Sequence, residues 1–359
     1  MLRLEARGQA SPGWIYGAPV LAVGLTLVAG AILFAALGFD PLEALGVFFL
    51  SPLNSAYGLA ELAVKATPLA LCAVGLAIGF RGNVWNIGAE GQLLMGAIAG
   101  GGIALALYEV EAWYVLPLML VGGVLGGMAW GALPAFLKTR FHTSEILVSL
   151  MLTYVAALVL SWLVHGPWRD PEGFNFPESR MFHDAALLPV LWDETRLHIG
   201  ALFALAAVVA GWFVVARTFV GFQVKVLGMT PQAGGYAGFS QKWVVWLAFM
   251  ISGGLAGLAG VVEVAGPIGQ LQPSVSPGYG FTAIIVAFLG RLHPVGILLA
   301  ALLMALSYLG GEAVQIGLGL PLAVTGVFQG MLLFFLLACD ILIRYRVRLT
   351  TTRRREARP

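Results

Sequence analysis

Charged side chains are scarce in this sequence. Aspartate, glutamate, lysine and arginine make up 11% of its 359 residues, and 59% are hydrophobic. A water-soluble domain carries about a quarter charged residues, and no globular fold hides so much apolar surface. Cysteine is nearly missing: Cys72 and Cys339 lie within apolar runs, show no metal spacing and license no disulfide. The chain has no GxxxxGK[ST] phosphate loop, no HExxH zinc site and no GxSxG nucleophile elbow, so neither a P-loop ATP site nor a catalytic centre of its own is expected. Its five histidines, His142, His165, His183, His198 and His293, are scattered and mostly at the ends of apolar runs, which points away from a metal site.

What the chain has instead is hydrophobic length. Apolar runs near the 20 residues that span a bilayer occur at 14–37, 59–79, 87–107, 113–137, 143–164, 197–216, 243–265 and 321–343. Two more, 279–290 and 294–312, are separated by Arg291, His293 and Pro294. The first of these is short for an upright span and reads as a half-helix or re-entrant piece, which lipid tolerates only when protein surrounds it. The expectation is an all-α polytopic membrane protein with about ten crossings and both termini inside. Residues 1–13 form an inner N-terminal segment, 14–345 the membrane domain and 346–359 a basic inner tail.

Charge supports this topology. Arg3, Arg7, Arg81, Lys138, Arg140, Arg217, Lys225, Lys242, Arg291 and seven arginines from Arg344 to Arg358 fall inside, which is 16 of the 20 basic residues. Only Arg169, Arg180 and Arg196 fall outside, while 11 of the 18 acids do, among them Asp40, Glu43, Glu109 and Glu111. Lys65 lies within a span four residues after Glu61, so the two are expected to neutralise each other on one helix face. The outer connection 165–196 reads either as a folded cap or as an ordinary long loop. Small-residue spacing, as at Gly96 and Gly100, at Gly123 and Gly127 and at Gly253 and Gly257, speaks of close helix packing.

Two stretches carry more than hydrophobicity. Asn83, Asn86, Glu90 and Gln92 run into the span at 87–107. Asn86 fits a helix N-cap and Glu90 an acid in a first helical turn. Alternatively, since a charge at membrane depth costs at least about 2.5 kcal/mol, these residues mark a translocation path. The inner connection 217–242 contains Pro231 where a short helix begins, followed by Gln232, Ala233, Gly234 and Gly235. Its apolar Val224, Val226, Leu227, Met229, Tyr236 and Phe239 suit a protein-docking loop.

Three motifs in order, "NIGAEGQLLMGA" (Asn86–Ala97), "GMTPQAGGYAG" (Gly228–Gly238) and "GYGFTAIIVAFLGRLHPVG" (Gly278–Gly296), resemble the permeases of ATP-binding-cassette importers. The subgroup is the branched-chain amino acid, ribose and simple sugar permeases, with bacterial nucleoside permeases most alike over residues 14–345. The resemblance implies a type II-like permease in a bacterial cytoplasmic membrane, importing a nucleoside or simple sugar by alternating access. Implied partners are two ATPase subunits that hold ATP and magnesium, a second permease and an extracellular substrate-binding protein, with no cofactor in this chain and no nucleic acid. On the combined reading of residues and resemblance, Asn83, Asn86, Glu90, Gln92, Phe281 and Thr282 are expected near the path. Gly228, Thr230, Pro231, Gln232, Ala233, Gly234 and Tyr236 match the ATPase-coupling helix, although Gly234 and Gly235 stand where relatives often have alanine and a charged residue. The segments 60–106 and 243–309 start on opposite sides of the membrane, as an inverted repeat would. The rival reading is an ion-coupled secondary transporter that uses Glu90.

Overall fold

The computed structural model describes residues 2–6, 12–321 and 323–349. Residues 7–11 of the N-terminal segment and the tail from residue 350 onward lie outside the described residues. The chain opens with strand β1 (Leu2–Ala6), α1 (Pro12–Ala36), α2 (Pro41–Phe49), α3 (Ala56–Arg81), α4 (Ala89–Ala106), α5 (Val115–Phe141) and α6 (Glu145–His165). After the long connection come α7 (Gly200–Arg217), α8 (Phe219–Met229), α9 (Pro231–Tyr236), α10 (Gln241–Glu263), α11 (Tyr279–Leu289), α12 (Pro294–Leu318), α13 (Ala323–Arg344) and strand β2 (Tyr345–Leu349).

Among the described residues eight helices are long and apolar enough to cross a bilayer: α1 from Gly17, α3, α4, α5, α6, α7, α10 with its continuation to Ile268, and α12. The segment expected at 294–312 is therefore longer, a 25-residue helix running to Leu318. The segment expected at 279–290 is the 11-residue α11, too short to span alone. Helix α2 was not legible as a span or a loop. Asp40 starts it by accepting the Leu42 and Glu43 N–H groups at 2.9 Å, with Pro41 preset for the first turn.

Contacts divide the chain into two compact units, residues 53–306 and residues 1–52 with 307–359. In the first, α10 is the hub against α3, α4 and α5. Removal of water cannot drive helices together in lipid, so close backbone approach matters more. It is supplied by glycine: a side chain on Gly257 would run into the Gly123 carbonyl, and one on Gly127 into the Gly253 carbonyl. The small-residue spacing read from the sequence thus stitches α5 to α10. In the second unit α1 packs on α13. Phe34, Phe48 and Phe328 form its core, with the last two rings stacked at 4.5 Å. Strands β1 and β2 pair antiparallel in the register Leu2↔Leu349 to Ala6↔Tyr345.

The first unit has two chemically distinct ends. At the basic end Arg81 Nε donates to the Leu292 carbonyl at 3.0 Å, Lys138 pairs with Glu145 at 2.7 Å, and Trp246 Nε1 donates to Thr139 Oγ1 at 3.2 Å. At the opposite end the long connection is a folded cap, and the reason is backbone pairing. Ser179 N–H donates to Leu271 O at 2.9 Å, Phe182 N–H to Gly269 O at 2.7 Å and Leu188 N–H to Ala265 O at 2.8 Å. Gln270 Nε2 adds a bond to Glu178 Oε2 at 2.7 Å. The cap then folds back on itself, with Leu191 N–H donating to Leu197 O at 2.7 Å.

Candidate functional site

Two crossings of the first unit are broken in the same way. Helix α3 ends at Arg81 beside the basic end, and Asn83, at φ 55°, turns the chain into an extended run through Gly88. Asparagine tolerates that left-handed conformation better than most residues. The run carries the chain from Gly82, whose neighbour is Val244 at the start of α10, to Asn86, which bonds Ser252 midway along α10. At 1.5 Å per residue this is a depth of about 12 Å. Helix α4 therefore begins near the middle of the helix bundle.

The second break mirrors the first. Helix α10 widens into a π-turn, Val264–Ile268, and Gly269 at φ 79° then releases a non-helical descent with a turn at residues 273–274. It passes Leu271, which lies against Gly101 of α4, and reaches Gly280, which lies against Ala89 and Glu90. Helix α11 starts there and runs to the basic end, where Phe288 stacks on Phe80 at 5.2 Å. Thus the N-termini of α4 and α11 abut in mid-bundle, each preceded by non-helical chain approaching from its own end.

The polar side chains of this junction are satisfied by protein. The Asn86 amide donates to Gln92 Oε1 at 2.9 Å and to Ser252 Oγ at 2.6 Å, while its oxygen accepts the Gly88 N–H at 2.9 Å. Ser149 Oγ of α6 accepts the Ile87 N–H at 3.2 Å. Glu90 Oε2 accepts the Gly280 N–H at 2.6 Å, and Ser276 Oγ accepts those of Gly278 and Tyr279 at 3.2 and 3.0 Å. Asn86 is thus not the N-cap that the sequence suggested but closes a turn two residues earlier; the cap position of α4 is Gly88. Glu90 does lie in the first turn of α4, yet its carboxylate serves the other helix as well.

Of the six path residues expected from sequence, Asn86, Glu90, Gln92 and Thr282 are buried. Phe281 is 37% exposed, and Asn83 is exposed, accepting Trp85 Nε1–H at 3.0 Å. The open face of α11 is apolar and aromatic: Phe281, Ile284 and Phe288 share it at helical spacing, with Trp85 stacked on Phe288 at 5.9 Å. Sequence reading missed Ser252, Ser149 and Ser276, because a serine in an apolar helix, or in the connection before one, is an ordinary occurrence with no local sign of its partner.

At the basic end α8 and α9 form a helical pair. Pro231 opens α9 as the sequence predicts, and Gly234 is buried because α9 folds onto Leu227. Gly228 abuts the Arg81 carbonyl, so the pair is seated on the end of α3. Thr230, Pro231, Gln232 and Ala233 are exposed, as are Met229 at 73% and Tyr236 at 95%. This is a large apolar display for a connecting segment.

At the opposite end Glu61 has a distant partner that the sequence reading did not single out. Its carboxylate receives Arg196 in a two-pronged pair, with Nε at 2.9 Å, and this bond pulls the Arg196 guanidinium above its ordinary range. Lys65 and Arg196 both act on the nearby buried Glu263, which sequence reading did not single out. His198 is wedged between Gly200 and Gly266, its Nδ1 accepting the Gly200 N–H at 3.1 Å. Burial pushes its imidazole down to about 4, against a smaller upward pull from Glu61. Among the described residues no cluster of three histidine, cysteine or acidic side chains is placed to hold a metal.

The family described as branched-chain amino acid transport system, permease component, matches residues 58–337, which include both breaks and the α8–α9 pair. The sequence is 38% identical to the glucose ABC transporter permease protein TsgB13 of Haloferax volcanii over 98% of this chain and 95% of that protein. It is 30% identical to the guanosine ABC transporter permease protein NupP of Bacillus subtilis, covering 91% of this chain and 94% of the relative. With the nucleoside ABC transporter permease protein NupB of Lactococcus lactis the identity is 29%, over 89% of each.

Proposed function

This chain belongs to the family of branched-chain amino acid transport system permease components, and from that premise we propose that it is one permease subunit of an ATP-driven importer for an uncharged solute, a nucleoside or simple sugar. The similar proteins named above are permeases for glucose, guanosine and nucleosides. The observation that carries the choice of solute is Glu90. A half-helix N-terminus at membrane depth welcomes a solute's carboxylate, and here that position is already filled by a side chain of the protein. Amino acids and other anions lose their natural contact there, whereas a sugar or nucleoside loses nothing.

The path runs along the open face of α11. Phe281, Phe288 and Trp85 offer flat apolar surfaces to a sugar or base ring, and Asn83 offers an amide. Asn86, Glu90, Gln92 and Thr282 back this face from inside and hold it in place. A second permease completes the channel, and an extracellular binding protein delivers the solute to the cap over residues 165–196. The basic end faces the cytoplasm, following the retention of lysine and arginine on that side, so the chain resides in a cytoplasmic membrane.

Gly228, Thr230, Pro231, Gln232, Ala233, Gly234 and Tyr236 form the seat for the ATPase subunits, which supply the ATP and magnesium site. Because Gly228 bears on the end of α3, a push on this seat reaches the first break directly. Alternating access follows when the two permeases rock about their shared face. The test is uptake of labelled uridine, guanosine and glucose by cells expressing the whole transporter. Uptake collapses when ATP is depleted with the proton gradient retained; uptake that persists and follows the gradient overturns the proposal in favour of an ion-coupled carrier.

A further inference from the structure

Two helix N-termini confront each other in mid-bundle. Gly280 of α11 sits so close to α4 that a side chain on it would fall 2.5 Å from the Glu90 Cα. Each N-terminus carries roughly half a positive charge, so the junction gathers roughly one, within protein where water does not screen it. Neither helix has a capping side chain at its own N-cap, Gly88 for α4 and Gly278 for α11. One acidic residue lies at the meeting point. Glu90 stands in the first turn of α4 and accepts the Gly280 N–H of α11 at 2.6 Å, with Ser276 and Gly278 beside it.

We propose that Glu90 is a positioning residue whose single carboxylate balances both helix termini, fixing the depth at which α11 starts and hence the height of Phe281 on the open face. Its position in α4, first turn for one dipole and cap for the other, is what allows one charge to serve two helices. The proposal rests on the importer reading only for its activity readout; assembly of the transporter serves as a second readout independent of it.

The experiment compares Glu90→Gln with the double variant Glu90→Gln/Ser276→Asp in the complete transporter. The amide keeps the size and an acceptor oxygen but removes the charge. Ser276 already bonds the first N–H groups of α11, so an aspartate there returns a charge to the same junction from the other helix. Glu90→Gln is expected to lower the uptake rate about tenfold, the scale of a well-placed charge at a helix terminus, or to lower the yield of assembled complex. Ser276→Asp in that background restores most of whichever was lost. Normal assembly and uptake in Glu90→Gln, or a loss that Ser276→Asp leaves unrepaired, overturns the proposal. Wild type without ATP-dependent uptake sinks the importer reading instead, and the assembly yields then judge the inference alone.

Discussion

The break before α4 is held by side chains, whereas the break before α11 is held largely by backbone. Asn86 alone makes three bonds that tie the first extended run to α4 and α10. The second run owes its place to the cap, through N–H groups of Ser179, Phe182 and Leu188 donated to carbonyls of 265–271. His198 wedged at Gly266 also holds it. The difference follows from surroundings. The first break is enclosed by α3, α6 and α10; Asn83 and Val84 donate back to the end of α3, and amides and hydroxyls satisfy the N–H groups of Ile87 and Gly88. The second lies under a long connection that supplies backbone partners of its own.

This contrast predicts unequal sensitivity to substitution. Asn86→Ala strips the first break of three bonds and leaves Gln92, Ser252 and the Gly88 N–H to find new partners. The expected loss is about 3 kcal/mol, visible as a lower unfolding temperature in detergent together with reduced uptake. Uptake and stability both at wild-type level would remove the first break from the argument.

The second break is predicted to be acid-sensitive. His198 is neutral in the fold down to about pH 4 but charges near 6.5 once unfolded. Its contribution is intact above about pH 6.5 and is lost as the pH falls from there toward 4, at about 1.4 kcal/mol per pH unit. Unfolding temperatures between pH 7 and 5 measure this, and His198→Asn, which keeps a short acceptor for the Gly200 N–H, flattens the curve. An equally steep curve in that variant assigns the acid sensitivity elsewhere. The smallest effect belongs to Ser179→Ala. It removes the Oγ that accepts the Leu271 N–H at 2.9 Å, costs about 1 kcal/mol and leaves the backbone pairs of the cap intact. Loss comparable to that of Asn86→Ala would show that the cap, too, depends on side chains.

Sequence alone made most of the helices legible, because a bilayer-length apolar run is a local property. It also marked Pro231 as a helix start and 279–290 as too short to span. What it concealed was pairing at a distance. Glu61 was read with Lys65, one turn away, and nothing local showed that its carboxylate receives Arg196, 135 residues further along the chain. Ser252 sits 166 residues from the amide it accepts, and Gly280 is 190 from the glutamate that caps it. The two local explanations for Glu90, helix-terminal acid and functional residue, were posed as alternatives because nothing in a linear string shows that a second helix begins at the same point.

The small ribbon of β1 and β2 bears on how the chain threads the bilayer. Hydrogen-bonded strands lie about 4.8 Å apart, so Leu2 and Leu349 occupy one compartment. A stretch of chain whose two ends share a compartment crosses the barrier an even number of times, a parity that the eight long helices and the ten crossings expected from the sequence both meet.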